Sequence, residues 1–221
     1  MDTLSGVGVI DKALAVLRAV EVAGPLSLQE LQERTGLPRA TAHRLAGALA
    51  DHGMLRRDES GSYVLGWALV ALGRAAAHHS PLLELATPIM EQARRSTGES
   101  VQLYVREGEM RRCVISLESP HGLRWIVPEG ALLPLTVGSA GHVLGGAAVN
   151  KAGWLASVEE REAGVASVSA PVFDAADQIV AAISISGPIE RLSRKPGDKH
   201  GAAVVAAARQ LSDELRRSPR R

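Results

Sequence analysis

The sequence predicts an α+β protein: a small helical domain, a connecting helix, and an antiparallel sheet with packed helices. Three observations predict it. Residues Leu26 to Leu45 read as two short helices joined at Gly36. Residues Trp67 to Ala77 are an Ala- and Leu-rich run that stops at Ser80-Pro81. Beyond Thr97, apolar runs of strand length alternate with turns until one long amphipathic stretch closes the chain, a pattern of antiparallel strands with helices on one side. A length of 221 residues leaves room for two small domains.

The opening helix takes its apolar face from Ile10, Leu14, Leu17 and Val20, or from Ala13, Val16 and Val20. The next begins at Ser27 as N-cap. Glu30 completes a capping box, and Leu26 and Leu31 are placed as a hydrophobic staple. Leu28 and Leu31 form its apolar stripe. Gly36 supplies the left-handed residue that ends it, and Pro38 suits the opening of a third helix running to about His52. At 100° per residue, Ala42, Leu45, Ala46 and Leu49 share the core face of that helix. Ala40, Arg44, Gly47 and Asp51 then lie opposite, with Thr41 and His43 on the flanks. A capped helix, a Gly turn and a second amphipathic helix make a helix-turn-helix. Leu55–Asp58 and Tyr63–Leu65 follow as a hairpin across residues 59–62, which makes the motif winged.

In such a motif the N-terminal residues of the second helix reach base edges of double-stranded DNA. Here these are Arg39, Ala40, Thr41, His43 and Arg44. Either arginine can fork onto guanine or grip a phosphate, and Ala40 and the Thr41 methyl suit a thymine methyl. Arg56 and Arg57 either face the phosphate backbone or merely flank the hairpin. Residues 1–66 carry seven Lys/Arg against eight Asp/Glu, so the domain is not basic overall. Between Arg34 and Arg57, however, five arginines face a single acid, Asp51. A local patch of this kind neutralises phosphates. One copy alone would bind weakly, which points to a dimer on an inverted-repeat site.

Composition narrows the alternatives. A net charge of +1, with 46% hydrophobic and 22% charged residues, describes an ordinary globular protein. Cys113 is the only cysteine, which excludes an intramolecular disulfide and a cysteine-cluster metal site. His78-His79 lacks ligand spacing, so no metal and no cofactor are expected. The absence of a signal peptide or membrane-length apolar run predicts a cytoplasmic protein with no membrane partner. Arg216, Arg217, Arg220 and Arg221 form a basic tail, either a frayed terminus or an arm touching DNA.

Gly66 to His79 is apolar over too wide an arc for a free linker, and is read as a linker helix that packs on a partner. Pro88 kinks the next helix, which runs to about Thr97. Val101–Val105 and Cys113–Leu117 form a hairpin around Glu107-Gly-Glu109, and Leu123–Val127 is a candidate third strand. Leu144–Val149 is placed in a short helix after Gly138-Ser-Ala-Gly-His142. Ser167–Phe173 and Ile179–Ser186 form a second hairpin. Gly201–Arg217 is a terminal helix with Val204, Val205, Ala208, Leu211 and Leu215 inward. Ser184 and Ser186 alternate with Ile183 and Ile185, so their hydroxyls share one side of the sheet, and Ser167 and Ser169 do likewise. Two readings stand for these serines: donors lining a small polar ligand pocket, or a solvent-facing strand surface. Ser139 lacks the Gly-x-Ser-x-Gly frame of a nucleophile elbow, and His142 alone cannot orient a triad, so no enzyme is expected.

Several segments together resemble the IclR family of bacterial transcriptional regulators: the winged helix-turn-helix, the Ala-rich helix, Leu133-Pro-Leu-Thr-Val-Gly-Ser-Ala-Gly141, the run Arg161–Asp174, and Ala182-Ile-Ser-Ile-Ser-Gly-Pro188. The resemblance covers Val9 to Leu215. Glu99-Ser-Val-Gln-Leu-Tyr104 and the run through Ala170-Pro171 are most similar to an actinobacterial subgroup tied to leucine and other amino-acid biosynthesis. It implies a winged helix-turn-helix domain over residues 1–66, a linker helix over 67–80, a GAF-like effector-binding domain over 81–217 and a basic tail over 218–221. It also implies a homodimer, often paired into tetramers, and a small-molecule effector lined by Leu133, Ser139, Ala140, Ser157, Ser167, Ser184 and Ser186. Ser157 and Ser167 stand where relatives that bind small carboxylates place an acid and a cysteine. The chain is also shorter between Val149 and Trp154 than the resemblance implies. Arg124 is either a contact for a ligand carboxylate or a surface residue. A constitutive dimeric architectural DNA binder with no effector is the alternative.

Overall fold

The computed structural model describes residues 8–218. Residues 1–7 and 219–221, the latter with Arg220 and Arg221 of the basic tail, lie outside them, while Arg216 and Arg217 lie within. The chain divides into two compact units, residues 1–79 and 80–221.

In the first unit, α1 (Gly8–Ala23), α2 (Leu28–Thr35) and α3 (Arg39–Asp51) are followed by β1 (Leu55–Arg57), β2 (Tyr63–Leu65) and α4 (Trp67–His78). Of the two faces open to α1, the one with Val16 and Val20 is buried, while Ile10 and Leu14 are exposed. Ser27 caps α2 through the full capping box: its hydroxyl accepts from the Glu30 N–H, and the Glu30 carboxylate accepts from the Ser27 N–H at 2.8 Å. Gly36 ends α2 at φ 66°, in the region glycine enters without strain. Leu26 and Leu31 join Val16, Val20, Ala46, Leu49, Leu55 and Tyr63 in one core. Full burial of each such aliphatic side chain stabilises by about 1.5–3 kcal/mol. The β1–β2 hairpin is tied to the entry of α2 by paired backbone bonds between Leu26 and Tyr63. None of the residues of α4 is buried.

In the second unit, α5 (Pro81–Thr97) starts with Pro at its first position and runs through Pro88. Then come β3 (Ser100–Glu107), β4 (Met110–Leu117), β5 (Leu132–Pro134), α6 (Ser139–Leu144), β6 (Leu155–Val158), β7 (Val165–Phe173), β8 (Ile179–Pro188), α7 (Ile189–Leu192) and α8 (Pro196–Arg217). The strands form one antiparallel sheet in the order β5-β4-β3-β8-β7-β6. Strand alternation sends Val101, Leu103, Ile183, Ile185 and Val168 into a core with α5 and α8. The opposite face packs Tyr104, Cys113 and Ala182 against Ala140, Val143 and Leu144 of α6. Helices therefore cover both faces, not one.

Three local expectations are corrected. Leu123–Val127 is not a strand. The edge of β4 is taken instead by residues 129–134: Cys113 exchanges backbone bonds with Gly130 and Ala131, and β5 pairs with Met110–Arg112. The carbonyls of Leu123 and Trp125 accept from Arg191 and the Ser100 hydroxyl, so side chains satisfy them in place of a neighbouring strand. The short helix is Ser139–Leu144, displaced toward the N-terminus from Leu144–Val149, because the Gly145-Gly146 pair stops it. Residues Leu155–Val158, to which the sequence assigns no element, form the edge strand β6. The terminal helix also begins earlier than Gly201, at Pro196. Its Gly197 and Gly201 lie flat against the Trp154 indole, where a Cβ at either position would overlap the ring.

Candidate functional site

Two sites emerge, one in each unit. On the first, Arg39, Ala40, His43 and Arg44 are exposed on α3 and Thr41 is half-buried, while Ala42, Ala46 and Leu49 hold the opposite face in the core. The helix thus presents its N-terminal turns outward. On the wing, Arg57 is held within its own hairpin. It donates to the Gly61 carbonyl at 2.7 Å and the Tyr63 hydroxyl at 2.6 Å, with its guanidinium 4.3 Å from the Tyr63 ring centroid. Arg56 lies 5.1 Å over the Trp67 ring. Both are exposed. The Asp58 carboxylate accepts from the Ser60 hydroxyl and from the Ser60 and Ser62 N–H groups, which hold its pKa below the usual range and shape the turn.

The second site lies on the α6 face of the sheet. Register places Ser100, Ser186, Ser167 and Ser157 in one row across β3, β8, β7 and β6, and Gln102, Ser184 and Ser169 in the next. Helix α6 brings Ser139 over them. The Ser139 hydroxyl bonds those of Ser167 and Ser169, each at 2.7 Å, and its N–H donates to the Ser157 hydroxyl at 3.0 Å. Ser157 and Ser167 are 3.0 Å apart. The Ser186 hydroxyl donates to Gln102 Oε1 at 2.8 Å, and Gln102 Nε2 is buried without a partner. The serine face is therefore covered and not solvent-facing.

A cavity of about 30 Å³ opens here, enough for roughly one water molecule. Ser139, Ala140, Ser157, Ser167, Ser184 and Ser186 line it. Leu133 does not. It sits opposite Arg111 on β5 and packs partly against the second core. The lining also includes Tyr104, Arg111, Trp125, Glu160 and Arg161, which sequence reasoning missed. The Glu160 carboxylate accepts from the Gly138 N–H at 2.8 Å and bonds His142 Nε2 at 2.7 Å, pinning the β6–β7 loop to α6. Thus His142 turns to Glu160, and the Ser139 hydroxyl stands among other hydroxyls with no base beside it. Arg124 pairs with Glu118 at 2.6 Å and is absent from the lining. Burial pushes the Tyr104 phenol well above its ordinary range and the Cys113 thiol up to about 12, so neither ionises near neutrality. Among the described residues no group of His, Cys, Asp or Glu is placed to hold a metal ion. No helix among them is long and apolar enough to cross a membrane.

Gln102 carried a readable signal, since Ser100, Gln102 and Tyr104 alternate with Val101 and Leu103 and so share the face of Ser184. Nothing local marks Arg111 or Arg161. They reach the cavity through the β4–β3 pairing and the path of the β6–β7 loop.

An exposed recognition-type helix with a wing, followed by a separate sheet domain, defines a DNA-binding transcriptional regulator. The IclR helix-turn-helix domain matches residues 9–59, and the bacterial transcriptional regulator IclR C-terminal domain matches residues 74–149 and 147–213. The chain belongs to the IclR family of bacterial transcriptional regulators. The second match divides at residues 147–149, beside the tight turn in which the Asn150 N–H donates to the Trp154 carbonyl. The HTH-type transcriptional regulator KipR of Bacillus subtilis is 27% identical over 238 residues, covering 92% of this chain and 95% of that protein. The glycerol operon regulatory protein of Streptomyces coelicolor is 30% identical over 245 residues, covering 93% and 95%. An IclR homolog from Microbacterium hydrocarbonoxydans, crystallised with 4-hydroxybenzoate, shares the fold at a TM-score of 0.82 and 20% identity, covering 95% of this chain and all of that one.

Proposed function

We propose that this regulator binds an inverted-repeat operator as a homodimer, through Arg39, Ala40, Thr41, His43 and Arg44, with Arg56 and Arg57 near the backbone. A small metabolite in the serine-lined cavity modulates that binding. The exposed α3 face beside a buried core face is the observation that carries the DNA reading. The covered cluster of Ser139, Ser157, Ser167, Ser184 and Ser186 supports the effector reading, as does the crystallised complex of a fold relative with 4-hydroxybenzoate. The likeness of Glu99–Tyr104 and of the run through Ala170-Pro171 to amino-acid-biosynthesis regulators supports genes of leucine-type amino-acid biosynthesis as the target. The apolar, unburied α4 supports dimerisation.

The closed cavity favours a second reading, a constitutive dimeric DNA binder without effector. At about 30 Å³ it is far below the few hundred Å³ of a typical ligand site, so effector binding requires it to open. One experiment separates the two. Thermal-shift screening of amino acids and keto acids is followed by operator titration with each stabilising compound. A compound that raises Tm and shifts operator affinity supports the effector reading; no stabilising compound leaves the constitutive binder. Arg39→Ala and Arg44→Ala should each weaken operator binding by about 1–3 kcal/mol where the arginine reads a base. Unchanged affinity in both removes them from the interface.

A further inference from the structure

Arg111 is a buried cation without a counter-ion. It is 2% exposed. Its Nη1 donates to the carbonyls of Pro134 and Val137, its guanidinium lies 5.3 Å from the Tyr104 ring centroid, and its Nε has no partner. Among the described residues no carboxylate pairs with it. Glu160 acts on it only from a distance, and one Glu160 carboxylate oxygen already accepts from the Gly138 N–H and bonds His142. Carbonyls and a ring face stabilise a guanidinium, but an unpaired charge at this depth is unfavourable until an anion joins it.

A second cation enters the same cavity. Arg161 is half-buried although its neighbours Glu160 and Glu162 are exposed. Its guanidinium lies 5.0 Å over the Trp125 ring and acts on both the Tyr104 phenol and Arg111. Ser157, Ser167, Ser184 and Ser186 come from β6, β7 and β8 and Ser139 from α6, whereas Arg111 comes from β4, beyond β3 in the sheet order. The cavity thus carries two guanidiniums beside its hydroxyls, and each guanidinium acts on the other as a like charge.

We propose that Arg111 and Arg161 form an anion subsite that takes the carboxylate or phosphate oxygens of the effector. This rests on reading the cavity as the effector site. Arg161, carried on the β6–β7 loop and held by stacking, is the movable member. Swinging off Trp125, it widens the cavity and offers a planar donor fork to the anion. Arg111 is the fixed member, locked beneath α6 by its two carbonyls. A neutral isostere of the same shape leaves the repulsion between the two guanidiniums unrelieved.

Full-length protein is tested by thermal shift and calorimetry at constant ionic strength. The probes are acetate, pyruvate and benzoate, each against its primary amide, together with inorganic phosphate. The expected result is that an acid or phosphate raises Tm while the amides do not, and that Arg161→Gln weakens the binding about tenfold without lowering the unliganded Tm. A response to phosphate alone assigns the subsite to phosphorylated effectors, and a response to the acids alone to carboxylates. Equal stabilisation by an acid and its amide, or undiminished binding in Arg161→Gln, overturns the anion subsite and leaves the effector reading standing. No stabilisation by any acid, amide, phosphate or screened metabolite overturns both.

Discussion

His200 lies in the first turns of α8, 5% exposed, with its Nε2 buried and unpartnered. Burial, and then the nearby Lys199 charge, pull its pKa below 6.5, while Glu99 opposes the shift. A base whose folded pKa is depressed stays neutral in the native protein while the unfolded chain takes up a proton. The unfolded state then binds more protons, so stability rises with pH across the interval. The contribution is complete above pH 6.5 and is lost as pH falls through that value toward the folded one. Each unit of depression corresponds to about 1.4 kcal/mol. Urea unfolding at pH 7.5 and pH 5.5 should show a larger acid loss for the natural protein than for His200→Leu. Equal losses in the two would show that His200 titrates alike in folded and unfolded chains. Close by, Glu99 is 3% exposed and bidentate with Arg191, at 2.7 and 2.9 Å. Its charge is shared with Arg191, and its pull on a protonated His200 is smaller than the burial and the Lys199 charge that oppose it.

Elements whose signals are local were legible in the sequence. The capping box at Ser27–Glu30, the left-handed Gly36 and the core stripe of α3 each rest on a few neighbouring residues, and all three appear as read. Hairpin β7–β8 was readable from its alternation. Elements defined by a distant partner were not. The Leu123–Val127 run has strand composition, but the edge it would need is occupied by β5. Edge strand β6 has Ser and Ala where strand propensity expects bulk, and it exists because β7 pairs with it. Similarly, the seven expected effector residues reduce to six lining residues, and the two cations of the cavity were invisible because long-range folding delivers them. The capping box is itself testable. The hydrogen bond from the Ser27 N–H is the leading cause holding the Glu30 carboxyl below its ordinary pKa. Ser27→Ala should cost about 1 kcal/mol of stability. Chemical denaturation that finds no change would assign the start of α2 to the Leu26–Leu31 packing alone.

For the whole molecule, charge and apolar surface both support the proposed dimer. The chain carries a net charge of only +1, and a single α3 face offers few cations to DNA. The slope of log affinity against log salt is about −0.9 per phosphate neutralised, so one copy gains little electrostatic affinity at physiological salt. Two copies on half-sites about 34 Å apart double the contacts without enlarging the patch. Helix α4 supplies a surface suited to holding them: apart from Arg74 and His78 its side chains are apolar, with Val70 44% and Leu72 55% exposed. Clustered exposed apolar side chains on a helix suit a protein contact, in line with the proposed dimer. Replacing both by glutamate should therefore shift the protein to monomer in analytical ultracentrifugation while its circular dichroism is unchanged. Operator binding should fall together with the steepness of its salt dependence, because half the phosphate contacts are lost from each bound unit. A double variant that stays dimeric would move the interface away from α4. One that becomes monomeric yet keeps the same affinity and salt slope would show that pairing is not the source of DNA affinity.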